Sequence, residues 1–208
     1  MDRGRLEAFS DGVFAVAITL LALNLVVKGP GYGTLAHQLA EQWAGYVAYL
    51  ISFFTIGIIW VNHHALVSNV VKVSRTLLFL NLVLLLFVVL VPVATGTVAD
   101  YLKHRDFDAE LAVAVYGVVL LGMSVGFGSM LEWSLRGEGR MRVPVPPGQR
   151  WAARLRFMSG ALVYLLIIAI AFVSAPVALG LSGLVAVYYV FEWTPALEKP
   201  DEPAEPGD

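Results

Sequence analysis

The sequence predicts an all-α integral membrane protein with six transmembrane helices per chain. Hydrophobic residues make up 58% of 208 positions and charged residues only 14%. A mean hydropathy of +0.74 is too high for a soluble domain of this size. The apolar residues fall into six runs separated by turn-forming or charged segments, with aromatic residues at several run ends, as at membrane interfaces. No cysteine is present, which excludes disulfides, thiolate metal sites and a cysteine nucleophile. The net charge of −2 says little about partners; where the charges lie says more.

Leu6–Lys28 is the first span: as one helix it is about 34 Å long, enough to cross a hydrocarbon core of about 30 Å. It lacks a convincing small-residue cleavage site and reads as a retained span rather than a signal peptide. Gly29-Pro30-Gly31-Tyr32-Gly33 breaks the helix, and Thr34 opens a short amphipathic ledge over Leu35–Gln42. Trp43–Val67 is the second span, with Trp43, Tyr46 and Tyr49 anchoring one end and Trp60-Val61-Asn62-His63-His64 at the other. Lys72 and Arg75 precede the third span, Leu77–Ala99, which carries Asn81 near its start and Pro92 inside, where a missing backbone donor predicts a kink.

The mixed-charge loop Lys103–Glu110 leads into the glycine-rich fourth span, Leu111–Leu135. Arg136–Arg156 holds six arginines, and its proline-rich part, Val143–Gly148, reads as extended chain. Phe157–Ala175 and Val177–Phe191 are spans five and six, joined so tightly at Ser174-Ala175-Pro176 that they must form an antiparallel hairpin. Residues 1–194 therefore read as one six-helix transmembrane domain without an internal repeat, and 195–208 as a disordered acidic cytoplasmic tail. An even number of spans puts both termini on one side. Eleven of the 14 lysines and arginines share that side, against Lys28, Lys103 and Arg105 on the other, so both termini are expected in the cytoplasm of a multi-pass cell-membrane protein.

Two groups of residues stand out as functional candidates. At 100° per residue, Val16, Thr19 and Leu23 lie within about 40° of Gly12, with Leu20 flanking and Asp11 about 100° away. One face of the first span can meet an axis or another chain while its acidic side turns inward; the plainer reading is a packing or lipid-facing stripe. The second group is set by depth. Arg5, Ser10 and Asp11 start the first span, Trp60, Asn62, His63 and His64 end the second, and Asn81 begins the third, all near the inner membrane face. Together they form either a polar clasp that fixes helix register or a proton-sensitive latch.

A metal site is not supported. Adjacent histidines on a helix diverge by about 100°, and His37 and His104 fall on the opposite side of the membrane. No nucleophile elbow, phosphate loop, HExxH pattern or basic-aromatic nucleic-acid surface is present, so neither an enzyme, nor a cofactor, nor a nucleic-acid partner is expected. The arginine loop reports topology more simply than it reports anionic lipid binding. Ser124-Val125-Gly126-Phe127-Gly128 is similar to the TVGYG filter of ordinary potassium channels, but it sits inside a continuous apolar run. Gly122 and Gly126 read better as a GxxxG surface for close helix packing.

Arg5, Phe9-Ser10-Asp11-Gly12-Val13-Phe14-Ala15 and Thr19-Leu20-Leu21 resemble the RxxxFSD signature of the bacterial relatives of the endosomal and lysosomal potassium channel called transmembrane protein 175. Trp60–His64 resembles that family's second-span motif, and Asn81 with Pro92 its third span. The resemblance implies a potassium-preferring cation channel without a carbonyl filter, a homotetramer whose first helices line a central pore. Val16, Leu20 and Leu23 would form its hydrophobic constriction and Thr19 the selectivity layer, with potassium held only transiently near Thr19. Potassium, other monovalent cations and protons are the implied permeant species, with the lipid bilayer as the other partner. Family members often carry isoleucine or leucine where this chain has the shorter Val16. A proton-coupled secondary transporter using Asp11 and the histidines as a relay, and a non-conducting membrane scaffold, are the competing readings.

Overall fold

A computed structural model describes residues 2–25, 34–104, 106–137, 139–143 and 146–191. The acidic tail and the glycine-proline break after the first span lie outside them. The described chain is helical: α1 (Arg3–Leu21), continued by a 3₁₀ turn (Ala22–Leu25), α2 (Leu35–Glu41), α3 (Trp43–Ser68), α4 (Arg75–Tyr101), α5 (Phe107–Arg136), α6 (Pro147–Ala171) and α7 (Ala175–Phe191). Five helices are long and apolar enough to cross a membrane. The sixth, α7, has 17 residues, about 26 Å of helix and at the short end of what spans a bilayer.

The six runs map onto α1, α3, α4, α5, α6 and α7, and the ledge onto α2. Most boundaries shift by a few residues, α5 opening at Phe107 inside the expected loop and the first span tightening to a 3₁₀ turn at Ala22, and one shifts by ten. Pro147 and Gly148, expected in extended chain, open α6, which starts ten residues before the apolar run and takes Arg150 and Arg154 onto a helix. The reason is local: Pro147 occupies the first turn, where its fixed φ suits a helix and its missing N–H costs nothing. Pro92 lies inside α4 without ending it. Ser74 and Asp106 set the starts of α4 and α5 by accepting from the Leu77 and Ala109 amides, both at 3.1 Å.

The core sits around α5, the most enclosed helix; 61% of its central apolar window is buried, against 28% for α1. It packs most extensively on α4, then on α6, while α1 leans on α3 and α4. Glycine makes the α4–α5 approach possible. A Cβ on Gly126 would stand 2.9 Å from the Leu84 Cα, and one on Gly122 would enter the Phe87 ring. Residues 124–128 are thus one turn of a continuous helix pressed against α4, with no loop to carry a filter.

A buried hydroxyl chain ties three helices together. Thr95 donates to the Val91 carbonyl at 2.7 Å, so its oxygen accepts from Ser52 at 2.7 Å, and Ser52 accepts from the Tyr116 hydroxyl at 2.9 Å. Each hydroxyl has one proton, which fixes the direction. The links at the far end are tied as well: Val71 donates to the Arg140 carbonyl and Arg142 to that of Asn69, at 2.9 and 2.8 Å.

Close α4–α5 contact predicts a ranking. Gly126→Ala meets backbone that cannot yield and should lower the thermal midpoint in detergent, by about 1–3 kcal/mol of overpacking. Gly122→Ala meets a ring that can turn, and should cost less. Equal midpoints for the two variants would contradict this packing.

Candidate functional site

Alternate faces of α1 and its 3₁₀ continuation meet opposite environments. Ser10, Phe14, Ala17 and Leu21 are at most 1% exposed, whereas Val16 is 56%, Leu20 41% and Leu23 65% exposed. Gly12 and Thr19 lie on the exposed side as well. The stripe found from helical angle therefore lies on the face that the rest of the chain leaves uncovered.

The buried face is fastened by polar contacts that share one amide. Ser10 Oγ donates to the Leu6 carbonyl at 2.9 Å, which turns its oxygen toward Asn81 Nδ2 as acceptor at 3.0 Å. Asn81 Oδ1 accepts at 2.8 Å from His63 Nε2, so the imidazole carries its proton on Nε2. All three side chains are at most 1% exposed. The His63 ring also rests 5.4 Å from Phe14, while its Nδ1 is buried without a hydrogen-bond partner among the described residues.

Asp11 is half-buried and belongs to a separate contact, accepting from the Trp60 indole at 2.8 Å. His64, exposed, lies 6.3 Å from the Trp60 ring. Of the eight residues expected to form one polar cluster, six thus fall into two neighbouring contacts. The other two stand apart. Asn62 donates to the Ile58 carbonyl of its own helix at 2.8 Å, and Arg5 is exposed with no partner among the described residues.

Three further anchors were not found from sequence. Arg3 Nη1 donates to the Ser68 carbonyl at 2.7 Å, capping the carbonyl end of α3. At the other end of α1, Asn24 Nδ2 donates to the Pro92 carbonyl at 2.9 Å, and its amide lies against Gly96, where a Cβ would come within 2.9 Å. The third is the Ser52–Thr95–Tyr116 chain. A polar residue at each end of the first span was the available signal for the first two. Finally, Thr19 Oγ1 donates to the Val16 carbonyl at 2.8 Å, so its proton is occupied and its oxygen faces outward as an acceptor.

Among the described residues no group of three or more His, Asp or Glu could hold a metal ion. His37 instead pairs with Glu41 on α2 at 3.1 Å. What fold and site define is a multi-pass helical membrane protein whose first helix is bolted to the rest of the chain by one face and bare along the other.

The chain belongs to the TMEM175 family. The family model described as endosomal/lysosomal potassium channel TMEM175 matches residues 5–92, the stretch that holds α1, α3 and Asn81. A protein of Streptomyces collinus named as a potassium channel is 47% identical over 198 residues, covering 93% of this chain and 94% of that one. The crystal structure of a lysosomal potassium-selective channel TMEM175 homolog from Chamaesiphon minutus superposes with a TM-score of 0.77 at 31% identity, covering 90% of this chain and 96% of that one. The human endosomal/lysosomal proton channel TMEM175 is 37% identical over 119 residues, a stretch covering 53% of this chain and 24% of the human protein.

The shared amide predicts unequal losses. Asn81→Ala leaves Ser10 and His63 buried with unmet hydrogen bonds and should cost about 2 kcal/mol or more in detergent thermal unfolding. Trp60→Phe removes one contact from a side chain that is 40% exposed and should cost about 1 kcal/mol. The reverse order would show that Asn81 is not the anchor.

Proposed function

We propose that this chain is a potassium-preferring cation channel, a homotetramer in which four copies of α1 surround a water path. The observation that carries the reading is the bare stripe on α1 and its 3₁₀ continuation, where Val16, Leu20 and Leu23 are exposed opposite the fastened face. Family membership and the likeness to a potassium-selective relative support it. Around a symmetry axis those three positions make stacked apolar rings, which exclude ions by dewetting when narrow and admit water and ions when slightly wider.

Thr19 supplies the polar layer between them. Its proton is held by the Val16 carbonyl, so four threonine oxygens would face a dehydrating potassium ion as acceptors. Side-chain hydroxyls replace hydration less completely than stacked carbonyls, which makes the preference over sodium modest. The chain has no catalytic or cofactor role in this reading, residues 1–194 act as one channel domain, and both termini face the cytoplasm because the basic residues gather there.

A proton-coupled carrier with Asp11 and the histidines as a relay is less well supported, because the Asp11 carboxylate is bonded to an indole rather than to an imidazole. A scaffold role would make the outward stripe ordinary packing or lipid-facing surface and give Thr19 within it no part.

Potassium flux from proteoliposomes tests the reading. Leu20→Ala and Leu23→Ala widen the rings and should raise resting flux several-fold; Val16→Asn wets the ring and should do the same. Thr19→Ala should lower the potassium-to-sodium ratio while leaving flux in place. No change in flux or ratio across all four variants, or a mass in detergent other than four copies, would refute the proposal. Flux that saturates with substrate and vanishes in Asp11→Asn would favour the carrier.

A further inference from the structure

A second charged feature lies away from the stripe, at the end of the bundle where α1 begins. Arg3, Lys72 and Arg142 line one recess together with Asp2 and Val71. The cations come from three segments distant in sequence: the start of α1, the α3–α4 link and the α5–α6 link. The two links are held in register by the Val71–Arg140 and Arg142–Asn69 backbone bonds, and Val143 N donates to Asn69 Oδ1 at 3.2 Å. The recess is a built feature of the fold.

Arg3 is accounted for as the cap of α3, through Ser68. Lys72 and Arg142 are not. Both are exposed, and the side chain of neither meets an acid or a hydrogen-bond partner among the described residues. Two unpaired cations beside a third, with Asp2 the one acid lining the recess, repel one another unless an anion enters. Val71, 54% exposed, adds an apolar edge that a soluble anion has no use for. Cations beside exposed apolar surface, at the level where transmembrane helices end, match the phosphate and upper acyl region of an anionic lipid.

We propose that this recess binds the phosphate of an anionic phospholipid headgroup in the leaflet next to the amino terminus, with Lys72 and Arg142 as direct ligands and Val71 against the first acyl methylenes. The site needs no assumption about conduction.

The full chain, reconstituted into phosphatidylcholine vesicles with a minor share of phosphatidic acid in both leaflets, is re-extracted and its retained lipid quantified. Phosphatidic acid should be enriched roughly tenfold over its bulk share, and Lys72→Gln/Arg142→Gln should return it to that share, each single variant lying between. Both positions are exposed, so a monodisperse elution profile and an unchanged thermal midpoint are expected of the variants. No enrichment in the wild type, or full enrichment in the double variant, overturns the proposal. An equal loss in Arg75→Gln/Arg136→Gln, which removes the same charge elsewhere, overturns it in favour of general surface attraction. Displacement by millimolar inorganic phosphate overturns it in favour of a soluble anion.

Discussion

Asn81 is the residue on which the placement of α1 depends. In lipid a polar side chain has no water to fall back on, so a buried amide must spend its donor and its acceptor inside the bundle. Asn81 spends them on different helices: Nδ2 on Ser10 of α1 and Oδ1 on His63 of α3. Three spans meet at one side chain, and rotation of α1 about its axis would pull Ser10 away from it. Rotation of α1 is also what would turn the Val16–Leu23 face away from its present direction. The polar contact and the bare stripe are two consequences of one angle.

The rest of α1 repeats the same economy at different depths. Arg3 holds its start to the end of α3, Trp60 holds Asp11, and Asn24 holds its end to α4 beside Gly96. These contacts lie on the side facing α3 and α4, so they restrain tilt and twist without occupying the outer face. A helix held only by apolar packing would have weaker rotational preference, since lipid tails and leucine are alike to it. Polar fastening along one side lets the opposite side stay free.

Much of this was legible from residues alone. Apolar runs found the spans, and helical angle found the stripe, because both need only the order of residues along one helix. Counting spans brought Ser10, His63 and Asn81 to one depth, which was enough to expect contact. Depth without azimuth was also why two residues were grouped wrongly. Arg5 lies about 140° around α1 from Ser10, and Asn62 about 100° around α3 from His63, so each points elsewhere. The Ser52–Thr95–Tyr116 chain was invisible for the same reason: its members sit on three spans, and only packed helices show that their hydroxyls converge. The early start of α6 is not legible in the sequence because Pro144, Pro146 and Pro147 together favour extended chain, although a proline in the first turn suits a helix.

Continuous helices also decide what an ion could meet along α1. Backbone carbonyls inside a helix already accept from amides four residues on, so they are not free to replace a hydration shell. The filter-like segment in α5 is subject to the same limit, since it never leaves the helix. Oxygen on the bare face must come from a side chain, and within the stripe Thr19 is the hydroxyl residue. Its proton is committed to Val16, so its lone pairs point away from the helix whether or not an ion is near. That orientation is set by the backbone of α1 itself, independently of the apolar side chains on either side. In the proposed channel, tightness and ion preference would therefore reside in different atoms of one helix face, so that each could be altered without disturbing the other or the fastened side behind them.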